Sequence, residues 1–69
     1  MTLRRALRIW SREYLRASVA VCGEGHRRCI IRQIRGRLAR TRSYLKGLRL
    51  GVGAIRRLAR WDAGVGGAA

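Results

Sequence analysis

The fold is decided by residues 3–25, which read LRRALRIWSREYLRASVAVCGEG. Apolar side chains recur there every three or four residues, the period that places them on one face of an α-helix. The arginines lie off this stripe. Two glycines that flank Glu24 then interrupt the pattern, because glycine disfavours a helix and favours a turn. The stretch therefore predicts an amphipathic first helix over about residues 3–20, whose core stripe is Leu3, Leu7, Trp10, Tyr14, Ala17 and Val21.

The helical period returns twice further along the chain. It predicts a second helix over about residues 26–42 and a third over about residues 46–62. Between them, either the second helix continues or Ser43 caps the third. Three amphipathic helices in 69 residues are most economically an antiparallel bundle, so we predict a small all-α three-helix domain over residues 1–63. The small residues 64–69 are predicted to form a flexible tail. The stripes of the last two helices are Ile30, Ile31, Ile34 and Leu38, then Leu48, Val52, Ile55 and Leu58.

The charge balance is extreme, with 17 basic against 3 acidic side chains and a net charge of +14. All but one of the bases are arginine, which pairs with phosphate or carboxylate in a bidentate manner. Such a chain repels itself, so we expect an anionic partner: RNA, an acidic protein or an anionic membrane. A hydrophobic content of 48% is too high for a disordered basic tail. No apolar run approaches the roughly 20 residues that span a bilayer, so the sequence predicts no transmembrane segment.

The arginines of the second helix form a pattern of their own. Arg28, Arg35 and Arg42 are seven residues apart and therefore stack along one flank, with Arg32 nearby. Arg37 and Arg40 fall on the opposite flank. One such residue alone suits a solvated helix face, but sixteen arginines exceed what solubility requires.

The segment CGEGHRRC, residues 22–29, resembles a ligand cluster. Its C-x3-H-x2-C spacing differs from that of zinc sites, which usually present two pairs of ligands, and the chain has no second pair. A disulfide between Cys22 and Cys29 is geometrically plausible in an oxidising compartment. The favoured interpretation has both cysteines acting as small apolar residues near the core, with His26 in a turn. We expect no metal site.

Catalysis has little support in the sequence. One histidine and three scattered acids, with no nucleophile beside a base, provide no catalytic constellation. We therefore predict a protein that is not an enzyme, with no cofactor of its own and no free small-molecule substrate.

The first 18 residues are rich in arginine, amphipathic and nearly free of acids. This composition is typical of a mitochondrial targeting segment. A basic first helix that stays in the mature protein explains it equally well, and both hold if the signal is not cleaved.

Nucleic-acid binding is a separate possibility. Arginines can track phosphates, with an affinity that falls steeply as salt rises. Trp10, Tyr14, Tyr44 and Trp61 could stack on bases, although the first two lie on the core stripe. No recognised nucleic-acid module is present.

Taken in order, the segments ALRIWSREYLRA, RRCIIRQIRGRLARTRSYL and AIRRLARW resemble the LYR-motif proteins of mitochondria, which are small, basic three-helix proteins. Ile9, Trp10 and Ser11 fall where the family has its Leu-Tyr-Arg tripeptide. Ile34 and Arg35 fall on the second-helix motif. The chain departs from the family where Ser11 replaces the signature arginine, and Leu38 and Ala39 replace a phenylalanine and an arginine.

The resemblance implies that this protein binds the mitochondrial acyl carrier protein, an acidic helical partner that supplies an acylated 4′-phosphopantetheine arm. It also implies a location in the mitochondrial matrix and docking on a large complex there. A large mitoribosomal subunit or its assembly intermediate is the first expectation, because one short family member with a similar length has that role. The alternatives are a small arginine-rich rRNA-binding protein of ribosomal type, and an accessory subunit or assembly factor of a respiratory complex.

Three sets of site residues follow from the resemblance and from the arginine flank. The carrier-binding set is Arg16, Arg28, Arg32, Arg35 and Arg42. The set expected to line a tunnel for the acyl chain is Trp10, Tyr14, Ile31, Ile34, Leu38, Gly51, Ala54 and Ile55. The set expected to contact RNA or a ribosomal protein or assembly factor is Arg4, Arg5, Arg56 and Arg57.

Overall fold

The computed structural model describes residues 1–64. It contains three helices, α1 (Leu3–Cys22), α2 (Arg27–Leu45) and α3 (Val52–Asp62), and a single 3₁₀ turn at Glu24–His26. The described residues form no strand. The prediction of a small all-α three-helix bundle is therefore confirmed. The predicted tail falls, from residue 65 onward, outside the described residues.

Both ends of α1 follow from local chemistry. Thr2 precedes the helix in an extended conformation, and its hydroxyl accepts a hydrogen bond from the backbone N–H of Arg5 at 3.1 Å. Such N-caps satisfy one of the donors that a helix leaves unpaired at its start. At the other end Gly23 has φ 94°, a value that side chains rarely adopt, and its N–H binds the Val19 carbonyl at 2.8 Å. Gly23 therefore ends α1, two residues beyond the predicted boundary.

Of the two alternatives for the chain after the second predicted helix, continuation is the one observed, since α2 runs through Ser43 and ends at Leu45. The predicted start of the third helix at about residue 46 was wrong, because α3 begins only at Val52. Gly51, with φ −80° and ψ 172°, is extended and makes no side-chain cap. Glycine costs about 1 kcal/mol relative to alanine inside a helix, so the glycine-rich segment favours a connection over the predicted early start.

α1 lies between the other two helices. Both α2 and α3 pack on it, whereas no Cα of α2 comes within 8 Å of a Cα of α3. α2 runs back along α1, and α3 runs in the direction of α1, since Ile55 lies by Ala6 and Arg60 by Glu13. The molecule is accordingly flat, measuring 33 × 26 × 15 Å. α1 thus has one face toward the core and one face toward solvent.

The core confirms most of the predicted stripe on α1. Trp10 is completely buried, and its ring lies 5.0 Å from that of buried Tyr14. Val21 and Leu48 are corrections, because 69% of Val21 and 47% of Leu48 is exposed. Val21 lies beyond the part of α1 that α3 covers, and Leu48 lies in the connection rather than in a helix. The buried apolar residues are Trp10, Tyr14, Ala17, Ile30, Ile34, Leu45, Ile55 and Ala59.

A set of polar contacts joins the three helices on one side of α1. The indole Nε1 of Trp10 donates to Asp62 Oδ2 at 2.8 Å, and Arg37 Nη1 donates to the backbone carbonyl of Asp62 at 3.2 Å. The Tyr14 hydroxyl donates to Gln33 Oε1 at 3.3 Å, and the Arg37 guanidinium lies 5.3 Å from the Tyr14 ring centre. We call these five residues the Asp62 corner. They connect α2 to α3 through side chains where the two backbones do not meet.

Replacing Asp62 with alanine should lower the free energy of unfolding by about 2 kcal/mol, because the buried Trp10 N–H loses a charged acceptor. For a domain of this size the loss corresponds to about 10 °C in Tm. Asp62→Asn keeps a carbonyl acceptor and should cost less than half as much. Urea unfolding followed by circular dichroism measures both.

Glu24→Ala is the matched control, since it removes an exposed carboxylate from the 3.5 Å ion pair with Arg27. Such exposed pairs contribute about 0 to 1 kcal/mol. If Asp62→Ala were as mild as this control, the Trp10 bond would not support the fold.

Candidate functional site

All three acidic side chains have a partner within the molecule. Glu13 Oε1 accepts a hydrogen bond from Arg60 Nη1 at 3.1 Å, and Glu24 Oε2 lies 3.5 Å from Arg27 Nη1. Asp62 accepts a hydrogen bond from the Trp10 indole. Since only Arg27 and Arg60 are within 4.0 Å of a side-chain carboxylate, fifteen of the seventeen basic side chains have no such acid beside them within residues 1–64. Most of the positive charge in this part of the chain is therefore not neutralised by side-chain carboxylates.

Three adjoining grooves gather much of this charge on the solvent side of α1. The groove between α1 and α2 has a volume of about 440 Å³ and an apolar floor of Leu7, Leu38 and Ala39. The groove over the second half of α1 has a volume of about 590 Å³, with Ile9, Leu15, Val19 and Ala20. A third groove, between α1 and α3, shares residues with both. The arginines around the three grooves, which we call the basic face, are Arg4, Arg5, Arg8, Arg12, Arg16, Arg27, Arg42 and Arg56.

The predicted carrier-binding arginines are all exposed. Arg28, Arg32, Arg35 and Arg42 turn away from the buried residues of α2, and Arg42 also borders the groove between α1 and α2. Arg16 lies on α1, at the other groove. The set therefore extends from the outer flank of α2 onto the basic face, and its binding role stays a prediction.

The four arginines predicted to contact RNA or an assembly do not form one patch. Arg4 borders the groove between α1 and α2, while Arg5 and Arg56 border the groove between α1 and α3. Arg57 is exposed one residue further along α3, turned about 100° from Arg56. Three of the four therefore belong to the basic face, and Arg57 belongs to another side of the molecule.

The predicted tunnel residues occupy several different places. Trp10, Tyr14, Ile34 and Ile55 are buried in the core, where Trp10 and Ile55 have 0% and 1% of their surface exposed. The remaining four are distributed without a common cavity: Leu38 at the groove between α1 and α2, Gly51 at the α3 entry, and Ile31 and Ala54 partly buried on their helices. Gly51 and Ile55 do share one groove of about 520 Å³, which Ala6 of α1 and Leu45 of α2 also line. Contact of these residues with an acyl chain stays a prediction.

The glycines of the third-helix region do not mark a close approach. A side chain added at Gly47, Gly51 or Gly53 would meet no atom within 4 Å. The small residues there face open space, and their effect on the structure is the late start of α3.

The segment CGEGHRRC forms the turn between α1 and α2. His26 lies in the turn, as predicted, at the end of its 3₁₀ segment. Cys22 and Cys29 are unpaired and exposed, so the expectation that they lie near the core was wrong. The reason is that Gly23 ends α1 at Cys22, where α3 no longer covers it. No group of three potential metal ligands occurs within residues 1–64.

The four aromatic side chains separate into two pairs. Trp10 and Tyr14 are buried, whereas 43% of Tyr44 and 65% of Trp61 is exposed. Burial, together with the charge of Asp62, raises the pKa of the Tyr44 hydroxyl. Tyr44 therefore lies on the Asp62 side of α2, away from the basic face.

Sequence reasoning missed the Asp62 corner. It assigned no role to Gln33 or Asp62, and it placed Arg37 only on a flank. One signal was available: Asp62 is an acid near the end of an apolar helical stripe, in a chain with only three acids. An acid there is costly unless it is paired, which indicates an internal partner.

Comparisons with protein-family models, with curated proteins and with solved structures find no match to this chain. In addition, none of the described helices has the length and apolar character needed to cross a membrane.

The cysteines can be tested directly. Because both thiols are exposed, the double variant Cys22→Ser, Cys29→Ser should unfold within about 0.5 kcal/mol of the parent chain, as surface substitutions do. A thiol reagent should modify two cysteines in the folded protein without urea. A large loss of stability, or protection of either thiol under reducing conditions, would contradict their exposure.

Proposed function

We propose that this protein is a non-enzymatic adaptor of LYR type, which binds acylated acyl carrier protein in the mitochondrial matrix and docks it on a large assembly. The observation that carries the proposal is the excess of arginine on the basic face and on the neighbouring flank of α2. Within residues 1–64, fifteen of the basic side chains have no side-chain carboxylate within 4.0 Å, and this excess of charge suits an acidic counterpart of considerable size.

The acidic partner would bind the outer flank of α2. Arg28, Arg35 and Arg42 recur every seven residues along this helix and are all exposed. Arginine forms short, charge-assisted and bidentate contacts with carboxylates and phosphates. A row of this kind suits a helical acidic surface, because complementary charges speed encounter and select the orientation in which the two proteins dock.

The groove between α1 and α2 supports a place for the partner's prosthetic arm. Its apolar floor of Leu7 and Leu38 lies among Arg4, Arg8 and Arg42. An acyl chain could cover the floor while the guanidinium groups bind the phosphate of 4′-phosphopantetheine. This surface route leaves the buried side chains of Trp10 and Ile34 in place, and Leu38 and Arg42 take part in it as members of the predicted site sets.

The host assembly is proposed from the resemblance, with the large mitoribosomal subunit or its assembly intermediate as the first candidate. Charge supports this choice, since the carrier would use the α2 flank and the groove beside it. Arg5, Arg12 and Arg56, across α1, would remain for an rRNA or protein surface.

Arg35→Glu should abolish binding of the carrier, because it places an acid in the middle of the flank that meets an acidic partner. Arg40→Glu is the matched control: it makes the same charge change on the opposite side of the same helix and should retain binding. Affinity capture of each variant from mitochondria, followed by native mass spectrometry, measures the carrier with its 4′-phosphopantetheine acyl mass. Circular dichroism checks that helicity is unchanged.

Two results would count against the proposal. Absence of a carrier from the captured parent protein would remove the function itself. Equal loss of the carrier in both variants would show that total charge, and not the α2 flank, determines binding.

A further inference from the structure

The two outer helices each carry an exposed aromatic side chain with an arginine beside it. Arg40 precedes Tyr44 by four residues on α2, and Arg57 precedes Trp61 by four residues on α3. Residues four apart lie one above the other on a helix surface. Each of the two outer helices therefore places a guanidinium one turn from an exposed aromatic ring.

We propose that Tyr44 and Trp61, with Arg40 and Arg57, bind a single-stranded segment of RNA. Aromatic side chains stack on unpaired bases, and neighbouring arginines follow the phosphates between them. RNA loops and ends present such splayed bases, whereas paired strands keep them stacked inside. The surface is separate from the α2 flank proposed for the carrier, so the two proposals stand independently.

Trp61 offers a large aromatic surface to solvent. It is 65% exposed at the last turn of α3, although its helix neighbours Ile55 and Ala59 are buried. Its ring is not needed for the core, which uses Trp10 and Tyr14. Exposed tryptophan has a large apolar surface and a rigid ring, which are the properties that base stacking uses.

The charge around the two exposed aromatic residues includes two arginines, Arg40 and Arg57. Asp62 is the acid at this site, and its carboxylate accepts the Trp10 N–H at 2.8 Å. Glu13 and Glu24 border the groove over the second half of α1, on the basic face. Arg40 and Arg57 are exposed and have no side-chain carboxylate within 4.0 Å among the described residues. A phosphate backbone would therefore meet positive charge.

Arg40 and Arg57 do not belong to the Asp62 corner, whose arginine is Arg37. The guanidinium that lies over an aromatic ring on this side is that of Arg37, 5.3 Å from the buried Tyr14 ring. Arg37 also donates to the Asp62 carbonyl, and thereby holds the C-terminal end of α3 against α2. Tyr44 lies seven residues after Arg37 on α2 and Trp61 directly precedes Asp62 on α3, so both exposed aromatic residues adjoin members of the Asp62 corner along their helices.

The test compares two strands with the same phosphates. The full chain is titrated with a fluorescein-labelled oligouridylate of about 12 nucleotides, within the size range of single-strand sites, and with an abasic strand of equal length. The parent chain should bind the strand with bases at least about fivefold more tightly. Trp61→Ala and Tyr44→Ala should each remove most of this difference, whereas Trp61→Phe and Tyr44→Phe should keep it.

Two controls separate stacking from charge and from unfolding. Arg35→Ala, on the outer flank of α2, should weaken both strands by the same factor. Circular dichroism must show parent helicity in the aromatic variants, whose residues are exposed. Equal affinity of the parent for both strands, or an unchanged difference in Trp61→Ala and Tyr44→Ala, would overturn the proposal. Carrier binding is measured separately by Arg35→Glu, so either proposal can fail alone.

Discussion

The bundle depends on the bond between the Trp10 indole and the Asp62 carboxylate. Trp10 is the largest buried side chain, and its N–H must find an acceptor because an unpaired buried donor is costly. Asp62 provides the acceptor from the last residue of α3, 52 residues along the chain. The bond brings the shortest helix onto α1 in one register. Arg37 then binds the Asp62 carbonyl, which connects α2 to α3 although their backbones do not meet.

The arrangement of the helices separates the two sides of the molecule. With α1 between α2 and α3, one face of α1 packs in the core and the opposite face is in solvent. The solvent face carries most of the basic face, with apolar floors between its arginines. The other side carries the Asp62 corner, and the outer helices add two exposed aromatic side chains, Tyr44 and Trp61. The surfaces of this flat three-helix layer therefore differ in their chemistry.

Much of the fold could be predicted from sequence because the apolar period is strong where packing is strong. Trp10, Tyr14 and Ile34 recur at helical spacing and are buried, as expected. The apolar period does not predict burial where no helix packs on it: Val21 continues the stripe but is exposed at the end of α1, and Leu48 is exposed in the connection before α3 begins at Val52. Periodicity reports which face a residue would take in a helix. It does not report how far a neighbouring helix extends.

The candidate site was less predictable for a related reason. Charge spacing on α2 correctly separates Arg35 from Arg40, because both belong to one continuous helix. To tell whether Arg4, Arg5, Arg56 and Arg57 share a surface, one must know how α3 is rotated about its axis relative to α1. The sequence does not contain this rotation, and so it did not show that Arg56 borders the basic face while Arg57 does not. The buried partner of Asp62 likewise depends on a contact across 52 residues.

The combination of a small core and a large net charge connects stability with binding. Within residues 1–64, fifteen basic side chains have no side-chain carboxylate within 4.0 Å, and their repulsion opposes the compact state; the core that resists it has eight buried apolar residues in this part of the chain. Any anionic ligand that bound the folded arrangement alone would relieve the repulsion and stabilise the fold by mass action. The unpaired arginines thus oppose the compact state while they make the surface strongly basic. Replacing them to gain stability would also remove that basic surface.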